Sequence, residues 1–354
     1  MTDPAVIHVV ALTPAGAALG ERLRQRLIGA RLFLPEKFQG HYPAAHLFGN
    51  LRQVFREAFQ TKTPLVAIMA TGIVIRQVAP LLQGKDRDPA VVVMDERGRF
   101  AISLLSGHLG GANALAQTVA AAVAATPVIT TASDVQGLPA IDTLAGQLGL
   151  IIDNLDAVKL IQSAWLSGQP VHLLDPQGYL TPALADFPDL IRPAAAEFLQ
   201  TGQAGPGIYV GCREYDWPAA WLRLRPKMLV VGVGCNRGTA AAEILQLLAD
   251  TLRQQRLSRH CLCCLASITL KQTEAGLLAA ARSLGVPVQW FTPQELAAIA
   301  VPNPSPVVQR HLGVASVCEA AALKAAGAAT LLVAKQKTAN VTLAIAQVGS
   351  NSSV

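Results

Sequence analysis

Short apolar runs and one-sided helical runs alternate from the start of the chain. Val6 to Leu12 reads as a strand, Ala15 to Ile28 as a helix and Ala30 to Leu34 as a second strand. Between Leu47 and Phe59 the apolar residues Leu47, Leu51, Val54, Phe55, Ala58 and Phe59 recur at helical spacing, which predicts a helix with one buried face. Pro64 to Ala70 is apolar throughout, the pattern of a strand covered on both faces, and it ends at Thr71-Gly72. Helix Ile73 to Leu82 follows and carries Arg76. Val91 to Met94 then feeds the turn Glu96-Arg97-Gly98, and the chain returns through Phe100 to Leu105. This is a tight hairpin in which Gly98 is free to take a positive φ. Ala114 to Ala124 predicts a helix and Pro127 to Thr131 a strand. Repeated units of this length imply a largely parallel sheet with ligands at its strand C-termini, where Thr71-Gly72 and Ser106 to Asn113 are both expected.

Beyond Asp134 the pattern changes. Helices around Pro139 to Gly149 and Asn154 to Ser167, a strand Pro170 to Leu174 and a Pro-, Ala- and Asp-rich stretch, Asp175 to Pro206, form a middle region with little sign of chemistry. Short strands near Ile208 to Gly211 and Trp221 to Leu224 complete it, and Arg225-Pro226-Lys227 marks a boundary. Strand Met228 to Val233 and helix Ala240 to Leu252 open the last part. Helices Ala275 to Leu284, Pro293 to Ala300 and Val314 to Ala326 and strands Val286 to Phe291, Ala329 to Ala334 and Val341 to Val348 follow. The expected fold class is α/β in several domains. An N-terminal domain of β-α units with a largely parallel sheet spans 1–135, a small middle domain 136–226, and a separate α/β C-terminal domain 227–354.

Composition narrows the function. At 354 residues, with 51% hydrophobic and 15% charged residues, the chain is too apolar for disorder. The least charged segment, Phe100 to Ser133, is long enough to span a bilayer, but Ser106, His108, Asn113 and Gln117 argue against a membrane helix. With no signal-peptide pattern at the start, a soluble cytoplasmic protein is expected. The net charge of +6 is scattered and aromatics are 5%, unlike a nucleic-acid binder's basic stripe; a small polyanionic ligand fits at least as well. Of the six cysteines, Cys261, Cys263 and Cys264 lack the second ligand pair of a zinc site, so no protein-bound metal is expected.

Two glycine-rich turns carry the candidate chemistry. Ser106-Gly107-His108-Leu109-Gly110-Gly111-Ala112-Asn113 places a hydroxyl, an imidazole and an amide where a helix begins, and free N–H groups there attract anions. The same residues also read as a structural loop pinned by its histidine. The second turn, Gly232-Val233-Gly234-Cys235-Asn236-Arg237-Gly238-Thr239, sets its last glycine one residue too far for a dinucleotide fingerprint and lacks the ending of a phosphate loop. With Arg237 it remains a carboxylate or phosphate cradle. Lys271, Glu319 and Lys335 follow in the same region.

Together these stretches resemble the cobalt-precorrin-5A hydrolase family. Ala70 to Arg76, Asp95 to Asn113 and Thr130 to Val135 look like its N-terminal half; G-V-G-C-N-R-G-T, S-I-T-L-K, S-V-C-E-A-A-A-L and Lys335 to Ala346 look like its C-terminal domain. Asn236 stands where the family more often has a basic residue, and Thr269 where it often has Asp. The resemblance implies a step of anaerobic cobalamin (vitamin B12) biosynthesis. Water opens the δ-lactone of a cobalt-bearing tetrapyrrole, and the former meso carbon with its methyl leaves as acetaldehyde, giving cobalt-precorrin-5B. Cobalt then arrives with the substrate, and the protein needs no cofactor. Partners would be the macrocycle and other enzymes of the pathway, not nucleic acid or membrane. In this reading His108 is the general base, oriented by Asp95 or Glu96 if the hairpin folds back. N–H groups from Gly107 to Gly111 would hold the oxyanion, assisted by Ser106 or Asn113. Substrate contacts would come from Thr71, Gly72, Arg76, Gly107, Gly110, Gly111, Asn113, Gly234, Arg237, Gly238, Thr239, Lys271, Glu319 and Lys335. A tetrapyrrole carrier without catalysis would keep both cradles but not need His108; a methyltransferase would need an adenosyl-methionine pocket, for which no motif is present.

Overall fold

The structure, a computed structural model, describes residues 6–84, 87–108, 110–200 and 205–348. Leu109 of the glycine-rich loop lies outside the described residues. The chain divides into two compact units, residues 1–143 and 144–354.

The first unit contains β1 (Ile7–Ala11), α1 (Pro14–Arg26), β2 (Ala30–Pro35), β3 (His46–Phe48), α2 (Leu51–Gln60), β4 (Leu65–Ile68) and α3 (Thr71–Val78). It continues with β5 (Val91–Met94), β6 (Phe100–Leu105), α4 (Ala112–Val123), β7 (Thr126–Val128), α5 (Ala132–Val135) and the start of α6 (Ile141–Gln147). Its seven strands form one sheet in the order β3-β2-β1-β4-β5-β6-β7. The two-residue alternation of strands divides the apolar residues between two faces. Val9, Val66, Val92 and Met94 meet α1 and α4, while Val10, Leu65, Ala67, Val91 and Val93 meet α2 and α3. The run predicted as a helix from Leu47 begins with β3 instead, because Asn50 caps α2 through Arg52 N–H at 3.0 Å and so starts the helix at Leu51.

The hairpin forms as expected, with Gly98 at φ 67°. It has a consequence for the site. β1 to β5 are mutually parallel, but β6 is antiparallel to β5, and β7 runs parallel to β6. The last two strands therefore end at the edge of the sheet where the first five begin.

In the second unit come β8 (Ile151–Ile152), α7 (Asp156–Leu166), β9 (Val171–Leu174), β10 (Ile191–Pro193), β11 (Gly207–Val210) and β12 (Trp221–Arg225), forming a sheet in the order β10-β9-β11-β12-β8. Then follow β13 (Leu229–Cys235), α8 (Ala241–Gln254), β14 (Leu262–Ile268), α9 (Ala275–Leu284), β15 (Val288–Phe291), α10 (Pro293–Ala297), α11 (Pro306–Leu312), α12 (Val317–Ala326), β16 (Val333–Lys337) and β17 (Val341–Gln347). Their sheet has the order β15-β14-β13-β17-β16. The fully buried Arg225 at the end of β12 bonds Asp153, Glu214 and the carbonyls of Gly211 and Arg213. The Arg213-to-Leu257 bridge and the Ser258 N–H to Cys212 carbonyl bond join its surroundings to the last sheet. This keeps residues 144–226 in one unit with the C-terminal sheet.

Candidate functional site

Because β6 and β7 are parallel neighbours, the loops that leave them lie side by side. That places Ser106 to Asn113 against Thr131 to Asp134. The His108 Nε2 lies 2.9 Å from an Asp134 carboxylate oxygen and 3.3 Å from the Ser133 hydroxyl. Its Nδ1 lies 3.9 Å from the carboxylate of the buried Asp142. Asn113 donates to the same Asp134 oxygen at 3.0 Å and to Thr131 Oγ1 at 3.2 Å, and accepts from Ser103 Oγ at 2.6 Å. An imidazole with one nitrogen fixed by a carboxylate and the other toward a second one can pass a proton. Ser106 adds a feature of its own. It sits at φ 59°, unusual for a residue with a Cβ, and its buried Oγ has no hydrogen-bond partner among the described residues.

Three expectations are corrected here. The carboxylate beside His108 is Asp134, not Asp95 or Glu96. Asp95 accepts from the N–H groups of Arg97, Arg99 and Phe100 within its own turn at 2.9–3.0 Å. Burial alone would raise its carboxyl, but those bonds outweigh it and hold the carboxyl below the usual range. Glu96 accepts instead from the Thr13 hydroxyl at 2.7 Å. Second, Thr71, Gly72, Arg76, Asp95 and Glu96 do not share an edge with His108. Thr71, Asp95 and Glu96 line a crevice of about 470 Å³ at the C-terminal ends of β1, β4 and β5, and the hairpin reversal puts His108 at the opposite edge. Arg76 turns back to the Gly72 carbonyl at 2.9 Å. Third, one of the expected oxyanion donors is engaged within the loop. The Gly111 N–H bonds the His108 carbonyl, and the Ala112 and Asn113 N–H groups that follow it bond the carbonyls of Ser106 and Gly107. Gly110 is packed so closely that a Cβ there would come within 2.3 Å of the Ser106 Cβ.

The second glycine-rich turn opens onto a cavity of about 400 Å³ at the C-terminal ends of β13 and β14. Of the residues expected to contact substrate in this region, Gly234, Arg237, Lys271 and Lys335 line it, together with Asn236 and Asn340, whereas Gly238 and Thr239 do not. The backbone cradle itself is occupied. Glu274 accepts from the Gly238 N–H at 2.9 Å and from Lys271 Nζ at 3.0 Å. These two partners, the Gly238 N–H first, hold the Glu274 carboxyl below its usual range. The Asn236 N–H goes to the Asn340 carbonyl, and the Thr239 hydroxyl returns to the Asn236 carbonyl. Lys335 reaches the Asn303 carbonyl at 2.7 Å. Arg237 forms no hydrogen bond with a described residue and senses Glu274 at longer range. Glu319 belongs elsewhere. Fully buried, it accepts from the backbone N–H groups of Asn303 and Lys335 and from the Asn303 amide, so it fixes that loop and does not line the cavity.

Cys212, Cys261, Cys264 and Cys318 are buried and Cys235 and Cys263 half-buried; burial pushes the Cys261 thiol up to about 12. No three His, Cys, Asp or Glu side chains converge as a metal site among the described residues. Nor is any described helix long and apolar enough to cross a membrane.

Models of three protein families match the chain in succession: the cobalamin synthesis G N-terminal region over residues 53–134, the cobalamin biosynthesis central region over 139–226, and the cobalamin synthesis G C-terminus over 229–346. The cobalt-precorrin-5A hydrolase of Priestia megaterium is 33% identical over 350 residues, covering 96% of this chain and 94% of its own. The chain belongs to the cobalt-precorrin-5A hydrolase family. The Salmonella typhimurium member is 38% identical over 337 residues, covering 90% of this chain and 91% of its own. Among solved structures, CobE, a protein from the cobalamin biosynthetic pathway, is 36% identical over 34% of this chain and 93% of its own, with a TM-score of 0.33. The family's N-terminal match takes in both the His108 loop and Asp134, and its C-terminal match takes in the whole lining of the Arg237 cavity.

Proposed function

We propose that this protein is a cytoplasmic cobalt-precorrin-5A hydrolase that opens the δ-lactone of its substrate and releases acetaldehyde, leaving cobalt-precorrin-5B. The observation that carries this reading is similarity to two curated cobalt-precorrin-5A hydrolases along nine-tenths or more of each chain. The site supports it chemically. With its Nε2–H donating to Asp134, His108 presents the Nδ1 lone pair to a water on the side of Asp142. Attack by that water on the lactone carbonyl breaks the ring C–O bond and leaves a carboxylate and an alcohol. Loss of the alcohol proton then lets the bond to the macrocycle break as the aldehyde forms, and the ring carbon takes up a proton. One positioned imidazole can pass protons in both halves, stabilised as imidazolium by Asp134. Taken by itself, the second unit's cavity offers the Arg237 guanidinium, which has no hydrogen-bond partner among the described residues, to a carboxylate.

Cobalt is carried by the substrate, and no resident cofactor enters these steps. The test is mass spectrometry of the product formed in ¹⁸O-water. The expected product has lost the two-carbon unit and carries one ¹⁸O in the new carboxylate. Unchanged substrate that co-purifies with the protein would favour a carrier.

A further inference from the structure

The Arg237 cavity contains an imidazole that lactone opening does not use. His311 sits on α11, whose Val308 and Leu312, one turn apart, pack onto the apolar core beneath α12. Val307 and His311, also one turn apart, line the cavity next to that stripe. The neighbouring polar side chains fold back on their own helix: Gln309 reaches the Gly313 carbonyl and Arg310 the Pro306 carbonyl, each at 3.3 Å. The exposed His311 ring makes no hydrogen bond or ion pair with a described residue. Ile268 and Val317 add apolar wall to the same cavity. It therefore combines an apolar wall, a guanidinium without a hydrogen-bond partner and a ring nitrogen without one.

These groups suit one class of ligand closely. A tetrapyrrole that holds cobalt in its four equatorial nitrogens leaves the two axial positions of the metal to outside donors. Neutral imidazole is the commonest protein ligand for metals of this kind. We propose that His311 binds the cobalt of the macrocycle as an axial ligand while Arg237 takes one of its carboxylates. A water leaves the cobalt, the ring nitrogen replaces it, and no oxidation state changes. This rests on the reading of the substrate as a cobalt tetrapyrrole. It adds an anchor that fixes the face and rotation of the ring, which carboxylate contacts alone leave free.

The test uses the full-length protein with cobyrinic acid, a cobalt corrin with free carboxylates, in its Co(II) form. Electron paramagnetic resonance reads the axial donor directly, because one ¹⁴N splits the high-field cobalt lines into triplets. Wild type should show triplets. His311→Ala should lose them and bind at least about fivefold more weakly, as loss of one modest contact implies. His311→Gly with added free imidazole should regain them. Arg237→Ala should bind more weakly yet keep the triplets. Triplets that persist in His311→Ala, or wild type that binds the corrin without them, would overturn the assignment and leave the hydrolase reading standing. Wild type that does not bind the corrin at all would count against both.

Discussion

Replacing Asp134 by Asn probes how the histidine is held. Asp134 accepts from His108 Nε2 at 2.9 Å and from Asn113 at 3.0 Å through a single oxygen, and its side chain is a third exposed. A charge-assisted hydrogen bond is worth about 1.5–3 kcal/mol, and solvent at a partly exposed site brings this toward the lower value. About 1.5 kcal/mol corresponds to a loss of roughly tenfold in rate. The amide has a second effect, because its NH₂ group can donate to Nε2 and turn the ring to the tautomer that carries hydrogen on Nδ1. The base would then face the water with a proton already in place, and a positioned base is worth about 10²- to 10⁴-fold. The expected result for Asp134→Asn is a kcat lowered about a hundredfold with KM nearly unchanged, since the residue supports the base and not the macrocycle. The assay is acetaldehyde release coupled to alcohol dehydrogenase, with circular dichroism confirming the fold. An unchanged kcat would refute the assignment of Asp134, and a raised KM at constant kcat would make it a binding residue.

Three further outcomes follow from particular contacts. A Cβ at Gly232 would come within 1.8 Å of the Cys318 carbonyl oxygen on α12, so Gly232→Ala should destabilise the C-terminal sheet by about 3 kcal/mol or more, read from urea unfolding. His8 is 4% exposed, and burial pushes its pKa down, aided by Arg31 and His46 and opposed by Glu57. The unfolded chain therefore takes up the proton more readily. The stability tied to the neutral ring is present above about pH 6.5 and is lost as pH falls below it, and His8→Phe should make the fall of melting temperature with acid shallower. Arg237→Ala should weaken binding of a carboxylate-rich corrin about fivefold, or about 1 kcal/mol, and flatten the dependence of that binding on salt.

Much of the fold is legible in the pattern of apolar residues. Val91–Met94, Phe100–Leu105 and Ala275–Leu284 fall where periodicity puts them. Leu262–Ile268 is hard to read as a strand because Cys263 and Cys264 interrupt its aliphatic pattern, yet it pairs with β13 and β15. α11 gives little sequence signal because it is short and bounded by Pro and Gly, the residues that also mark loops. The site was harder to read than the fold. Alternation identifies a strand but not its direction in the sheet. The turn at Glu96-Arg97-Gly98 sends β6 back along β5 and so separates His108 from Thr71 and Glu96. Asp134 lay in view within T-T-A-S-D, but only the parallel pairing of β6 with β7 brings it to His108. His311 sits in no glycine turn, and its place at the cavity depends on how α11 packs.

Acetaldehyde release measured on wild type, His108→Ala and His108→Asn tests most directly the proposal that His108 is the base in hydrolysis of cobalt-precorrin-5A. Wild type should release one acetaldehyde per substrate. Both variants should fold and still bind the cobalt macrocycle, yet release acetaldehyde at least about a hundredfold more slowly, the lower bound for loss of a positioned base. The Asn variant keeps a hydrogen-bond donor, which separates the base from a structural pin. Near-normal release in both variants would remove His108 from the mechanism, and no release from wild type would contradict the proposed acetaldehyde-forming reaction.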